Sequence, residues 1–385
     1  MIVIRKSKSI SQVQKITVMK KTRRYDIDWI RVLVFDILIL FHVGMFFNTW
    51  DWHIKNDNLV NWLQYPMAFT SQWRIPILFV VSGMGTRFAL SYRSGNQYIK
   101  ERFERLFIPL VVGMLIIVAP QVYFERVADG DFTGSFFAFY PHYFDGIYPV
   151  GNFSWHHLWF LPYLFVFSIL ATPLFLALRK DSNAFMSWFS NCLSYSPWGL
   201  YVFVIPLILI ELTLGNSFPI TRSFWGDWYA LLYYFVLFIS GFLMIRSGEP
   251  FWKSVLQLRW PAFSVGTVTF CLIIWGMADE NYLPTVGDIV KTINMWSWIV
   301  AIFGFSAQYL NKKSTILKYR NEAVYPFYIV HQTIIITSGF YLMDVPLPIF
   351  PKFAIMTVAT FGGSWLFFEV VKRVRILRPL FGLKT

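Results

Sequence analysis

Long apolar runs separated by short polar segments dominate this chain. Ten of these runs are long enough to cross the ~30 Å hydrocarbon core of a bilayer as helices. The second run contains Pro66 and Pro76 and is too long for one straight helix, so we expect it to be kinked or broken. The pattern predicts an all-α integral membrane protein with about ten transmembrane helices. The runs cover roughly residues 27–48, 60–90, 105–124, 157–178, 197–214, 228–246, 260–278, 288–310, 321–343 and 350–374.

Composition supports a membrane protein and excludes several other classes. Hydrophobic residues make up 56% of the 385 residues and charged residues only 14%, whereas a soluble chain carries about 25% charged residues. An ordinary soluble enzyme, a disordered chain, a coiled coil and a disulfide scaffold are therefore excluded. The two cysteines, Cys192 and Cys271, have no metal-ligand spacing and need not form a disulfide.

Positive charges between the apolar runs predict the orientation. The first 24 residues contain eight Lys or Arg, no acid and no features of a cleavable signal peptide. With both termini in the cytoplasm, 26 of the 34 Lys and Arg fall in cytoplasmic segments, as the positive-inside rule requires. We therefore predict a basic cytoplasmic tail (1–26), a ten-span domain (27–378) and a cytoplasmic C-terminal end (379–385). This bias explains the net charge of +13 without a nucleic-acid partner.

The first apolar run contains ionisable residues, which are costly at membrane depth and therefore candidates for function. Arg31 and His42 are eleven residues apart, which places them on one helix face about 16 Å apart. Asp28 precedes Arg31 by one turn and is expected to hold it through an i,i+3 ion pair. His42 has two interpretations: a functional group in the outer half of the membrane, or a buried residue that bonds a neighbouring helix.

Three further charges lie within the first two runs. They are Asp36 in the first run and Arg74 and Arg87 in the second. Asp36 lies about 120° around the helix from His42, so we do not expect it to orient that histidine. We expect Asp36 to form an ion pair with Arg74 or Arg87.

Two arginines follow the second run at the predicted cytoplasmic border. Arg102 and Arg105 share a helical face shortly before Pro109. Such a pair suits phosphate binding through charge-assisted hydrogen bonds. The alternative interpretation is simple anchoring by the positive-inside rule.

Ser82 and the histidines near residue 156 are weaker candidates. Ser82 precedes Gly83, and small residues at this point favour close helix packing over a nucleophile, since no base neighbours Ser82. His156 and His157 point to different faces of a helix. Because no other His, Cys, Asp or Glu group has ligand spacing, no metal site is expected.

The longest predicted outer loop spans residues 125–156. It carries ten aromatic residues between Phe132 and Trp155. Aromatic faces can stack on sugar rings, so the loop has one interpretation as a carbohydrate platform. The other is an amphipathic segment that lies on the membrane surface.

Five motifs in order resemble those of the membrane acyltransferase-3 family, over the whole chain. Arg31 and His42 resemble its Arg-X10-His motif, and Arg102 and Arg105 resemble its cytoplasmic Arg-x-x-Arg motif. The other three are similar to its Phe-Phe-x-x-Ser-Gly element and two later signatures: Phe79-Val80-Val81-Ser82-Gly83, His157-Leu158-Trp159-Phe160-Leu161 and Tyr328-Ile329-Val330-His331.

Some positions bear on the branch of the family, and others depart from its pattern. Arg74, the run that begins at His157, and Glu369 resemble the glucan-succinylating branch. Asp36 stands where an apolar residue would be expected. Gln332 follows His331 where some relatives have a second histidine, so this chain does not keep the His pair of those relatives.

The resemblance implies transfer of an acyl group, acetyl or succinyl, from cytoplasmic acyl-CoA to a hydroxyl of a cell-envelope polysaccharide, glucan or lipid-linked glycan. It implies a protein of the bacterial inner membrane, in contact with membrane lipid. Acyl-CoA is a co-substrate, and neither a permanently bound cofactor nor an oligomeric state is implied. The implied roles are CoA binding by Arg31, Arg102 and Arg105, general-base or acyl-histidine chemistry at His42, and supporting or acceptor-site roles for Asp28, Arg74, Ser82, His157, His331 and Glu369.

A proton- or solute-coupled membrane transporter is the alternative function. Composition and the number of spans suit both classes. The ordered motifs favour the enzyme.

Overall fold

The computed structural model describes residues 23–180, 182–278 and 284–384, and it is all-α there. Short helical turns at Asn61–Leu63, Phe136–Phe139, Tyr140–Phe144 and Leu377–Leu380 lie between or after the long helices. The helices of ten or more residues in these ranges are α1 (Tyr25–Phe47), α2 (Gln64–Leu90), α3 (Gly95–Ala128), α4 (His156–Leu178), α5 (Ala184–Tyr195), α6 (Pro197–Gly215), α7 (Trp228–Ser247), α8 (Glu249–Ala278), α9 (Pro284–Tyr309), α10 (Thr315–Leu342) and α11 (Ile349–Arg373).

Each predicted span coincides with one long helix, which confirms the predicted fold class. In the described part of the chain, eight helices are long and apolar enough to cross a membrane. The other two predicted spans, α2 and α10, are equally long but carry buried polar side chains such as Arg74 and His331. Helix α5 was not predicted, and α8 begins eleven residues earlier than the apolar run at 260.

Two helices differ from a regular α-helix or from the expectation for them. Helix α2 continues without interruption through Pro76, so of the two expected forms, kinked or broken, the broken one is excluded. Helix α3 contains two π-helical turns, at Phe103–Phe107 and Gly113–Val118. Such turns are frequent at functional sites, and the first of these contains Arg105.

Close backbone packing joins α2 to α7. A Cβ placed on Gly83 would lie 1.9 Å from the carbonyl oxygen of Phe238, and one on Gly241 would lie 1.9 Å from that of Val80. No side chain fits at either position, so the two helices approach as closely as their backbones allow. Close helix packing therefore explains why residue 83 is a glycine, as we expected from the small residues at this point.

Contacts between loops agree with alternating spans. At the predicted cytoplasmic end, Arg179 donates to the carbonyl oxygen of Arg93 at 3.0 Å. At the opposite end, Lys352 donates to Asn56 Oδ1 at 2.8 Å. Which end faces the cytoplasm stays a prediction, and residues 1–22 of the predicted basic tail lie outside the described residues.

The glycine contact generates a prediction about stability. We expect Gly83→Ala to force α2 and α7 apart and to destabilise the protein by about 1–3 kcal/mol, as overpacking does. Gly85→Ala is the matched control, because a Cβ there meets no atom within 4 Å. Thermal unfolding in detergent measures both, and equal melting temperatures for the two variants would contradict the packing argument.

Candidate active site

A pair of histidines from α1 and α10 lies at the centre of the candidate site. Nδ1 of His42 is 3.0 Å from Nε2 of His331. The two rings are nearly parallel, with centroids 5.1 Å apart. His331 is fully buried, whereas His42 is partly exposed, so His42 is the member that a substrate can reach.

The hydrogen bonds of the neutral pair determine where the protons lie. Nδ1 of His331 is 2.8 Å from the carbonyl oxygen of Tyr328, which can only accept, so this nitrogen carries the proton. Nε2 of His331 therefore accepts, and the proton it accepts is on Nδ1 of His42. The lone pair of His42 is consequently on Nε2, the arrangement that a general base requires.

His157 of α4 supports this pair from the side. Its Nε2 donates to the carbonyl oxygen of Ile329 at 2.9 Å, and its ring meets that of His331 edge to face at 5.0 Å. Tyr328 donates through its hydroxyl to the carbonyl oxygen of His157 at 2.7 Å. These contacts hold α10, which carries His331, against α4.

Arg74 of α2 is a buried cation without an anionic partner. Its guanidinium carbon lies 3.5 Å from the ring centroid of Phe41, and only 6% of the residue is exposed. Its Nε and Nη1 atoms are buried and have no hydrogen-bond partner. Within the described residues no carboxylate lies at ion-pair distance. The Phe41 ring in turn lies 5.8 Å, centroid to centroid, from that of His42, so Arg74 is separated from the pair by one aromatic ring.

The expected ion pair of Asp36 with Arg74 or Arg87 is wrong. Asp36 is instead paired with Arg320 of α10. Asp36 and Phe41 lie on different faces of α1, and Arg74 packs on the Phe41 face. Helical periodicity indicated that Asp36 points away from His42, but it did not indicate which helix lies there.

Arg31 also has a partner that differs from the expected one. It donates to Oδ1 of Asn321 on α10 at 3.2 Å. Asp28 does not hold Arg31 but pairs with Arg23, at 2.8 Å. The expected i,i+3 pair is therefore wrong, because Arg31 turns towards α10 and Asp28 towards the segment before α1.

Arg102 and Arg105 lie at the same end of the bundle as Arg31. They share the carboxylate of Glu101, at 3.4 Å from Arg102 and 3.6 Å from Arg105. Arg105 also donates to the carbonyl oxygen of Gly382 at 3.4 Å. Both arginine charges act on Arg31. Arg31, Arg102 and Arg105 thus form a positively charged cluster, the basic end, with Asp28 and Glu101 as nearby acids and Arg93 as a further partner of Glu101.

Ser82 and Glu369 are satisfied by structural contacts. Ser82 donates through its hydroxyl to the carbonyl oxygen of Leu78, one turn back, at 2.7 Å. Glu369 accepts from the Tyr319 hydroxyl at 2.5 Å and pairs with Arg373 at 2.8 Å. Across the described ranges, neither side chain bonds to the histidine pair.

Sequence reasoning missed two residues of α10 at the basic end. Asn321 accepts a hydrogen bond from Arg31. The buried Tyr325 hydroxyl has no hydrogen-bond partner in the described part of the chain, and the positive charges of Arg102 and Arg105 act on it. The two residues are four apart and therefore share a helix face. The spacing alone does not predict a site, because the sequence does not show which helices pack against this face of α10.

Comparison with known proteins identifies the family. The family model of acyltransferase-3, described as an acyltransferase domain, matches residues 24–369. The chain belongs to this family. It is therefore a membrane acyltransferase, and this decides against the transporter as its class.

Sequences of distant relatives align with almost the whole length of this acyltransferase. Glucans biosynthesis protein C of Escherichia coli O1:K1 is 22% identical over 94% of this chain and 95% of its own length. The protein of the same name from Salmonella paratyphi B is also 22% identical, with the same coverage. No solved structure matches the chain.

A polar network begins at Gln332, the residue after His331, and continues towards the predicted outer end of the helix bundle. Gln332 donates to Gln121 Oε1 at 3.3 Å and lies 3.1 Å from Nε2 of His53. His53 Nδ1 is 2.5 Å from Oε2 of Glu125, and the Tyr148 hydroxyl donates to Oε1 at 2.9 Å. Burial and the Glu125 carboxylate raise the pKa of Tyr148 above its usual value, so this hydroxyl keeps its proton.

Opposite stability effects are expected at Arg74 and Arg320. Arg74→Met removes an unpaired buried charge and should leave the melting temperature unchanged or higher. Arg320→Met leaves Asp36 without its partner and should destabilise the acyltransferase by about 1–3 kcal/mol, below the value for fully buried pairs. Thermal unfolding of both variants in the same detergent tests this, and a lower melting temperature for Arg74→Met would show that Arg74 stabilises the fold.

Proposed function

We propose that this protein transfers an acyl group from cytoplasmic acyl-CoA to a hydroxyl of a cell-envelope polysaccharide or glucan, with His42 as general base. The observation that carries the proposal is the His42–His331 contact, which leaves the lone pair on Nε2 of the reachable histidine. Because CoA thioesters are cytoplasmic, the protein is proposed to act in the bacterial inner membrane. A glucan acceptor is supported by the name of the distant relatives.

In the proposed reaction His42 takes the proton of the acceptor hydroxyl. The hydroxyl oxygen attacks the thioester carbonyl carbon, and the carbon–sulfur bond then breaks. The proton on Nε2 of His42 passes to the leaving thiolate, so the products are the acyl ester and free CoA. Nε2 of His331 accepts the hydrogen bond from Nδ1–H of His42 throughout, and this bond stabilises the imidazolium that forms on His42.

An acyl-histidine intermediate would use the same lone pair. Nε2 of His42 would attack the thioester directly, release CoA and pass the acyl group to the acceptor. A burst of CoA release without acceptor, equal to the amount of enzyme, distinguishes this route from direct transfer.

We infer that the basic end binds the CoA phosphates. Arg31, Arg102 and Arg105 together outnumber the two acids near them, Asp28 and Glu101. The unpartnered Tyr325 hydroxyl adds a hydrogen-bond donor. Arg31 and His42 are eleven residues apart on α1, about 16 Å by helical rise. The pantetheine arm of CoA is proposed to span this distance while the nucleotide stays at the basic end.

We further infer that the transferred acyl group carries a distal carboxylate, as succinyl does. Arg74 is buried beside the histidine pair and lacks an anion. A buried unpaired charge is unfavourable unless a ligand neutralises it. A carboxylate is the complementary group for a planar guanidinium, whereas an acetyl group offers nothing to it.

His42 and His331 give the first functional prediction. His42→Ala should lower acyl transfer by about 10²–10⁴-fold with CoA binding preserved, as loss of a general base does. His331→Gln, whose amide oxygen can accept from His42, should retain more activity than His331→Ala. His142→Ala is the control, because His142 is exposed and pairs with Asp145 in the outer loop. Retention of half the activity by folded His42→Ala would remove His42 from the mechanism.

Binding measurements test whether Arg102 and Arg105 bind the phosphates of CoA. Arg102→Ala and Arg105→Ala should each weaken acyl-CoA binding, and added salt should weaken it in the unchanged protein. Lys100→Ala serves as the control, since Lys100 is exposed and lies near Glu104. Isothermal titration with full acyl-CoA and with the pantetheine thioester measures the effect. Equal affinity for the two donors would contradict a phosphate site.

Arg74 generates a prediction about donor choice. The unchanged protein should use succinyl-CoA in preference to acetyl-CoA, and Arg74→Met should lose that preference by about tenfold or more, since a hydrogen bond to a charged group contributes ~1.5–3 kcal/mol. The ratio of kcat/KM for the two donors is the measurement. Preference for acetyl-CoA in the unchanged protein would contradict the carboxylate role but not acyl transfer.

A further inference from the structure

A second group of chemically versatile side chains lies outside the histidine pair. His53 comes from the segment between α1 and α2, Glu125 from the last turn of α3, and His156 from the start of α4. One potential ligand atom from each lies within 4.8 Å of the other two. The rings of His53 and His156 meet edge to face with centroids 4.4 Å apart. Three distant segments of the chain therefore converge on one small volume.

His156 is the unexplained member of this group. Its Nε2 is buried and has no hydrogen-bond partner among residues 23–180, 182–278 and 284–384. Its backbone has φ +38°, in the left-handed region that a residue with a Cβ rarely adopts. Both features are unfavourable, since an unsatisfied buried nitrogen and a strained backbone each raise the free energy of the fold. A ligand bound at Nε2 would account for both.

The other two members are held as metal ligands usually are. The Tyr148 hydroxyl donates to Oε1 of Glu125 at 2.9 Å, and this leaves Oε2 directed at His53. The Gln332 amide lies 3.1 Å from Nε2 of His53. Ligating histidines and carboxylates are characteristically oriented by such outer hydrogen bonds.

We propose that His53, Glu125 and His156 bind one divalent transition-metal cation, with zinc as its best representative. Two imidazoles and one carboxylate are a common zinc ligand set, with a fourth position left for water. Mg²⁺ and Ca²⁺ prefer oxygen ligands and are disfavoured by two nitrogens. Sequence spacing gave no indication of this site, because its ligands come from three separate segments.

Binding moves a proton within His53. In the present arrangement the proton on Nδ1 of His53 lies between this nitrogen and Oε2 of Glu125. Coordination by Nδ1 transfers this proton to Nε2, so the ring stays neutral, and the Gln332 side chain turns over to accept from Nε2–H and gives up its hydrogen bond to Gln121. The cation would tie three segments together at the end of the bundle opposite to the basic end.

Zinc content of the full-length protein tests the proposal. The chain is purified in detergent without a polyhistidine tag, stripped with chelator and dialysed against micromolar Zn²⁺. We expect one zinc per chain by elemental analysis, and Co²⁺ should give the absorption of a low-symmetry nitrogen–oxygen site. His156→Ala and Glu125→Gln should each weaken binding by at least about tenfold, in line with losses at metal sites. His142→Ala, in the same outer loop but outside the group, should bind as the unchanged protein does.

Thermal unfolding gives a second readout that does not depend on activity. Saturating zinc should raise the melting temperature of the unchanged protein and of His142→Ala, but not of His156→Ala. His156→Ala removes no hydrogen bond of Nε2, so it keeps the test valid if Glu125→Gln does not fold. Equal zinc content in all variants would mean adventitious surface binding and would overturn the proposal. Less than a fifth of an equivalent in the unchanged protein would overturn it as well.

Discussion

The hydrogen bonding of the histidine pair in the candidate site depends on one contact, from Nδ1–H of His331 to the Tyr328 carbonyl oxygen. It is a short-range contact within α10, yet it sets the proton positions on two helices. A carbonyl cannot donate, so the tautomer of His331 is fixed and that of His42 follows from it. His331 is fully buried, so no water can compete for either bond. One backbone acceptor thus decides which nitrogen of His42 keeps its lone pair.

Charge is distributed along the bundle in three different ways. At the basic end, cations gather around Glu101 at a border with water. Farther in, Asp36 and Arg320 neutralise each other. Beside the histidines, Arg74 has only the face of Phe41, a weak substitute for an anion. In a low-dielectric interior this unpaired charge is the feature hardest to explain by stability alone, and function explains it best.

Much of the architecture was predictable because it depends on hydropathy and helical period. The apolar runs located the long helices, and the eleven-residue spacing placed Arg31 and His42 on one face of α1. Ion-pair partners were not predictable, since periodicity gives the direction of Asp36 but not the helix it meets. The link between His42 and His331 joins residues 289 apart, and only the family resemblance brought His331 to attention. Nothing in the sequence marked the approach of His53, Glu125 and His156.

The backbone contact between α2 and α7 also limits how this protein can move. Side chains at an interface can change rotamer and let two helices slide, but carbonyl groups seated against glycines have no such freedom. Rocking of one half of the bundle against the other, as transporters use for alternating access, would have to open this seam. Helix α2, which carries Arg74, is therefore fixed against α7. Movement within the bundle is easier for loops and for helices that pack through side chains.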